Sequence, residues 1–160
     1  MVFHDVEHDT LFAGDHVLPH ITPSIGVEPN RPLSPLRDYL SSLALVRAMP
    51  DARLLPAHGP VTDSVHERID ELLAHHADRL EITMDALDRG ASTGFEVAVA
   101  TPWTRHKRRF DELDLFNRIL AVNETVAHLQ VLVEQGRAIA QRLDGVTHFS
   151  RTPSEAAQPE

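Results

Sequence analysis

The sequence contains no cysteine, and only 5% of its 160 residues are aromatic. The absence of cysteine excludes disulfide bonds and thiolate metal ligands, and it is typical of cytosolic proteins, so we expect a cytoplasmic location. No apolar run approaches the roughly 20 residues of a transmembrane helix, and the opening residues lack the basic and apolar regions of a secretory signal. Hydrophobic residues nevertheless make up 42% of the chain, which is the composition of a globular protein.

Positive charge is also scarce, because 15 Lys and Arg face 24 Asp and Glu, for a formal net charge of −9. This balance excludes a protein that wraps nucleic acid over its whole surface, although a local basic patch can still bind. The candidate nucleic-acid patch consists of Arg105, Lys107, Arg108 and Arg109. Acidic residues follow it directly and would weaken its attraction for phosphate, so the pattern favours a packing or homodimer role over nucleic-acid binding.

Residues 1–77 show the pattern strand, strand, loop, helix, strand, helix. Four prolines between residues 19 and 32 forbid a helix there and predict a long loop. Ser34-Pro35 begins a helix that Pro50 ends, and Ala52–Pro56 is a strand candidate. A long helix follows, capped at Ser64 and ended near Gly90, with a buried stripe of seven residues: Val65, Ile69, Leu72, His76, Leu80, Met84 and Leu87.

Residues 78–151 show a different pattern, in which helices precede a two-stranded hairpin. Thr93 and Glu96 form a capping box for a short helix, and Asp111 or Asp114 begins the last helix. Its predicted buried face comprises Phe116, Ile119, Val122, Val126, Leu129 and Val133. Asp144-Gly145 predicts the hairpin turn. Three helices with a hairpin indicate a winged-helix domain, and the polar residues 152–160 are expected to be a disordered tail.

Two segments carry chemistry-bearing residues at the ends of predicted strands. Phe12-Ala13-Gly14-Asp15 places a carboxylate after one strand, and Leu55-Pro56-Ala57-His58-Gly59-Pro60 places a histidine in a tight turn after another. Each is weak alone, since such an acid is more often a turn cap. In this order and about forty residues apart, the two segments resemble the last two metal-binding motifs of the metallo-β-lactamase superfamily.

Later segments are similar to the winged-helix extension of one hydrolase branch of that superfamily. They are Glu81–Asp88, Gly90–Thr93, Trp103–Arg105, Leu113–Asn117 and Glu124–Leu129. The resemblance covers nearly the whole chain except its tail. It implies an α+β fold, namely the carboxy-terminal part of an αββα sandwich followed by a mostly helical winged-helix domain.

The resemblance also implies a chemistry. Asp15 would bridge two zinc ions, His58 would bind one of them, and a metal-held hydroxide would attack a small-molecule ester, thioester, lactone or phosphodiester. Zinc suits this role because it lowers the pKa of a bound water towards 7.

The chain departs from the family where the other ligands belong. The His-x-His-x-Asp-His motif and a further histidine ligand are absent, and His16 and His20 do not follow that pattern, although they could line the site. With two ligands instead of three or four, we expect weak or no zinc binding and a chain that is inactive or incomplete by itself.

Three explanations fit the missing ligands. The sequence could be a fragment of a longer gene product, or the protein could be a truncated remnant that folds but is inactive. Alternatively, a separately encoded upstream half could dock and complete the site. Truncation is the explanation we favour. The alternative function is a winged-helix module that binds nucleic acid or protein without catalysis.

Overall fold

The computed structural model describes residues 1–25, 33–104 and 107–153, which form two compact units. The first unit comprises residues 1–24 and 37–78, and the second comprises residues 25–36 and 79–160 as far as they are described. The boundary between the units falls after Asp78, and among the described residues Ile25 and residues 33–36 also belong to the second unit. Pro29, Pro32, Arg105 and most of the expected tail lie outside the described residues.

The first unit contains a three-stranded sheet in the order β1-β2-β3, and its strands are β1 (Phe3–Asp5), β2 (Thr10–Gly14) and β3 (Arg53–Pro56). β1 and β2 are antiparallel, as their short connection requires, whereas β2 and β3 are parallel, with Leu11 opposite Leu54. A bridge between Leu54 and Thr62 adds one further pairing on the other side of β3. The parallel pair places the carboxyl ends of β2 and β3 at the same edge of the sheet.

Two helices supply the rest of the first unit's core. They are α1 (Pro35–Arg47) and α2 (Val65–Asp88), of which α2 continues into the second unit. All seven residues of the predicted stripe on α2 are buried, which confirms that prediction. On β2, Leu11 and Ala13 are buried and Phe12 is about half exposed. One face of this sheet is therefore covered within the unit, and the other is accessible.

The second unit contains the remaining elements, namely α3 (Gly94–Ala100), a 3₁₀ turn (Phe110–Glu112), α4 (Leu115–Glu134), β4 (Ala138–Leu143) and β5 (Val146–Arg151). Asp114 caps α4 by accepting a hydrogen bond from the Asn117 amide, so of the two predicted starts the later one is correct. Asp144 and Gly145 both have positive φ, as a tight hairpin turn requires. The mixed α+β composition is confirmed, while the assignment to the winged-helix class stays a prediction.

The buried face of α4 differs from the predicted one. Phe116 and Ile119 are more than half exposed, whereas Ala121, Thr125 and His128 are buried. The prediction followed the largest apolar side chains. Leu129 of the predicted face is buried as expected. α3 packs closely against α4, since a Cβ added at Gly94 would lie 2.6 Å from Cγ2 of Val126. Among the described residues, no helix is long and apolar enough to cross a membrane.

Glu96 closes the amino terminus of α3 in a full capping box. Its carboxylate accepts hydrogen bonds from the amides of Ser92 and Thr93 and from the Ser92 hydroxyl, each at 2.9 Å. These bonds favour the charged form and lower the pKa of Glu96 to about 2. The carboxylate therefore stabilises the fold above the ordinary glutamate pKa near 4.5, and this contribution is lost as the pH falls towards 2.

We expect Glu96→Gln to lower the melting temperature at pH 7 and to have progressively less effect as the pH falls from 4.5 towards 2. Thermal unfolding followed by circular dichroism at several pH values measures this. Glu67→Gln, in the first turn of α2, controls for the loss of one negative charge near a helix start. A Glu96→Gln effect that does not vary with pH would contradict the pKa argument.

Candidate metal centre

Asp15 and His58 lie beside each other at the shared edge of the parallel strand pair. The amide of Ala57 donates a 2.9 Å hydrogen bond to the Gly14 carbonyl and continues the pairing one step beyond the sheet. Oδ1 of Asp15 is 3.5 Å from Nε2 of His58, and both side chains are about 70% exposed. The two side chains therefore converge on one accessible point of the surface.

Tight turns hold each of these residues in place. Gly14 has φ +55, and the amide of His16 donates to the Ala13 carbonyl at 3.0 Å, so the chain turns sharply as it presents Asp15. Gly59, directly after His58, has φ +95, and a Cβ there would lie 2.7 Å from Cγ of Pro19. Pro19 from the loop after Asp15 thus packs against the turn after His58, which ties the two turns together.

Arg68 of α2 anchors the same loop. Its guanidinium donates to the carbonyls of Leu18 at 2.6 Å and Ile21 at 3.1 Å, and it pairs with Glu71. Arg68 was not predicted from the sequence, because its partners in the loop are main-chain carbonyls, which have no sequence signature. The sequence contained only an indirect signal. Because proline has no amide N–H, the carbonyls of a proline-rich loop need hydrogen-bond donors from other parts of the chain.

His16 and His20 differ in their surroundings. The half-buried ring of His16 lies edge-on to Tyr39 at 5.3 Å, and its Nε2 is 3.1 Å from the Ser42 hydroxyl. Burial lowers the pKa of His16 and raises the pKa of Tyr39 to about 12. His20 is exposed. The contact with Ser42 turns Nε2 of His16 towards α1.

The basic residues predicted as a nucleic-acid patch belong to the second unit. Lys107, Arg108 and Arg109 are exposed, while Arg105 lies outside the described residues. Arg109 forms an ion pair with Asp111 at 2.9 Å, so one of the acids that follow the patch neutralises one of its cations. Trp103 beside them is buried and belongs to the core of the second unit.

The spacing of Asp15 and His58 suits two ligands of one zinc ion. Bonds of about 2.0–2.2 Å at a tetrahedral angle put two ligand atoms about 3.3–3.6 Å apart, which includes the observed 3.5 Å. The number of donors does not suit a complete site, because within the described ranges no three His, Asp or Glu residues cluster as metal ligands do. The described residues therefore do not form a complete metal site, and no catalytic step follows from them alone.

The chain is similar to known proteins of the β-lactamase type. No protein-family model matches the chain. Over 73 residues, 46% of this chain, it is 34% identical to a β-lactamase-like protein 2 homolog from Caenorhabditis elegans, of which the match covers 22%.

Two solved structures match over more of the chain. A β-lactamase domain protein from Burkholderia ambifaria matches 94% of the chain with 32% identity and a TM-score of 0.80. A metallo-β-lactamase family protein from Thermus thermophilus matches the same share with 30% identity and a TM-score of 0.74. The chain spans 43% and 44% of those structures. In the portion that it shares with them, this chain has the fold of metallo-β-lactamase-type proteins.

Proposed function

We propose that this chain provides one part of the metal centre of a zinc-dependent hydrolase of the metallo-β-lactamase type, with Asp15 and His58 as its metal ligands. The observation that carries the proposal is the 3.5 Å approach of these two side chains at the ends of paired parallel strands. The names and the sequence identity of the similar proteins support the hydrolase class. The substrate would be an ester, thioester, lactone or phosphodiester.

The chain by itself is proposed to be incomplete. Structural zinc sites with four ligands bind with apparent free energies of about 10–16 kcal/mol. Two ligands would supply about half of this free energy, which corresponds to a Kd of roughly 1–200 µM. Such a site would lose its metal during purification and would not hold a hydroxide firmly. We propose that the remaining donors come from polypeptide outside these 160 residues.

Zinc titration of the purified chain tests the ligand assignment. We expect one weak site with a Kd in this micromolar range, and Asp15→Ala or His58→Ala should weaken it at least about tenfold, since even losses outside the ligand shell cost that much. The chain offers a matched control, because Asp5 and His8 form a second exposed pair with a separation of 2.9 Å. Asp5→Ala and His8→Ala should leave the affinity within about twofold of the original. Equal losses in both pairs would show nonspecific binding and refute the assignment.

A chimera tests the hydrolase class separately. The part of the Burkholderia ambifaria protein without a counterpart here would be joined to this chain and assayed with p-nitrophenyl acetate and bis(p-nitrophenyl) phosphate. We expect zinc-dependent release of p-nitrophenol from one of them, lost on Asp15→Ala but not on Asp5→Ala. Activity that survives Asp15→Ala would contradict the proposed role of Asp15.

A further inference from the structure

We propose that the second unit carries a separate binding site for a small anion with an apolar or aromatic body, in a cavity between the end of α3 and the start of α4. The cavity has a volume of about 520 Å³, which lies within the usual range for small-molecule sites. It involves neither Asp15 nor His58 and does not depend on the metal centre.

The charge of the cavity wall is opposite to that of the whole protein. Lys107, Arg108, Arg109 and Arg118 line it together with the single carboxylate of Asp111, a formal sum of +3 in a chain whose net charge is −9. Positive charges concentrated in a concave surface strengthen the local electrostatic potential and attract anions.

Two of the four cations are available to a ligand. Arg109 is paired with Asp111, and Arg118 donates to the carbonyls of Leu113 and Asp111 at 2.8 and 2.6 Å. Lys107 and Arg108 have no carboxylate partner within the part of the chain that the structure describes. The backbone of Arg108 is held by two main-chain hydrogen bonds with Trp103, at 2.8 and 2.6 Å.

The rest of the wall is apolar and partly aromatic. Phe95 is 59% exposed and lies edge-on to Phe110 at 5.6 Å, and Val99 beside it is 49% exposed. Arg118 lies 5.9 Å from the centre of the Phe110 ring, so a cation borders the apolar surface. Contact between water and the exposed ring of Phe95 is unfavourable. A flat apolar ligand that covers the ring would remove this contact and gain binding free energy.

These features favour a small anion over a nucleic acid. A polynucleotide needs several phosphate contacts along an extended basic surface. Here Glu112 and Asp114 are exposed beside the wall and would repel an extended polyanion. A ligand of cavity size meets only one acid of the wall, Asp111, which is paired with Arg109. The ligand class is therefore an aromatic or acyl carboxylate, sulfonate or monophosphate.

Titration with 8-anilino-1-naphthalenesulfonate, which joins an aromatic body to one negative charge, tests the proposal. We expect saturable binding that is weakened about five- to tenfold in Lys107→Gln/Arg108→Gln and in roughly 0.5 M salt. Its uncharged analogue N-phenyl-1-naphthylamine should bind both forms of the protein equally. Arg89→Gln/Arg142→Gln removes two cations from the same unit outside the cavity, and this control should change the affinity less than about twofold.

A second variant locates the site without altering charge. Ala100 lines the cavity and is exposed, so Ala100→Trp should fill the space and abolish saturable binding while leaving the circular dichroism spectrum unchanged. Asp15→Ala should leave binding intact, which separates this proposal from the metal centre. Probe binding that resists Ala100→Trp, or an equal loss in the Arg89/Arg142 control, would overturn the proposal. So would a single-stranded oligonucleotide that binds more tightly than the probe and depends on Lys107 and Arg108.

Discussion

Arg79→Ala is expected to lower the free energy of unfolding of the second unit by about 3 kcal/mol, the lower end of the range for a buried ion pair, because Arg79 is buried and its partner Glu124 is partly exposed. Nε of Arg79 lies 3.6 Å from Oε1 of Glu124, and the arginine side chain is only 8% exposed. The guanidinium also donates to the Pro102 carbonyl at 3.0 Å and stacks 4.3 Å from the centre of the Trp103 ring. Its loss leaves Glu124, whose side chain is 30% exposed, without its cationic partner.

The loss should depend on pH in a defined direction. Burial raises the pKa of Glu124, and Arg79 lowers it in part. A carboxyl whose pKa is raised on folding stabilises the fold while it is protonated, and this contribution is lost as the pH rises through the raised pKa. Without Arg79 the pKa should rise further, so Arg79→Ala should cost more at about pH 8 than near pH 4.

Trp103 makes the measurement direct, because it is the only tryptophan and lies in the second unit. Urea unfolding followed by its fluorescence reports on this unit. Arg151→Ala is the matched control, since Arg151 pairs with Asp88 at 2.6 Å but both side chains are more than 40% exposed, and solvent screening should make the expected loss much smaller. Similar losses in the two variants would show that burial does not strengthen the Arg79 pair.

A double variant separates charge from packing. Replacing a buried ion pair by apolar residues of similar volume is often neutral or stabilising. Arg79→Met/Glu124→Leu should therefore be less destabilised than Arg79→Ala alone. If the double variant is at least as unstable as the single one, the loss arises from packing around Trp103 and the charge argument is wrong.

Gly59→Ala is expected to destabilise the first unit by about 3 kcal/mol and to displace His58. A φ of +95 is strained for any residue with a side chain, at about 1–3 kcal/mol. The added Cβ would also lie 2.7 Å from Cγ and 3.3 Å from Cδ of Pro19, which is buried and cannot move freely. Both effects act on the turn that carries His58.

Gly14→Ala is the control for this prediction, because Gly14 also has positive φ and adjoins the other candidate ligand. Its φ of +55 lies where side chains are tolerated, and an added Cβ meets no atom within 4 Å, so the expected loss is about 1 kcal/mol. Urea unfolding followed by far-ultraviolet circular dichroism compares the two. The zinc affinity of Gly59→Ala should also fall. Equal destabilisation of the two variants would contradict the contact between Gly59 and Pro19.

Local signals in the sequence were sufficient for the order and type of the elements. The capping box of Thr93 and Glu96 and the turn at Asp144 and Gly145 were predicted correctly because they depend on residues adjacent in the chain. The stripe on α2 was correct because a helix of 24 residues repeats its pattern many times. The predicted face of α4 was wrong at Phe116 and Ile119 and correct at Leu129, because the side of a helix that is buried depends on the elements that pack against it.

For the candidate site, the sequence alone determined the two residues that we propose as metal ligands: Asp15 and His58 each follow a strand in a turn, and their motifs resemble those of a known metal-binding superfamily. Only the tertiary structure decided that the two side chains lie 3.5 Å apart, that Arg68 and Pro19 hold their turns, and that Lys107 and Arg108 border an apolar cavity. The physical reason is that capping, turn and strand signals act between neighbours in the chain. A parallel strand pair, a guanidinium bound to distant carbonyls and a cavity wall each join residues far apart in sequence, which come together only when the core is packed.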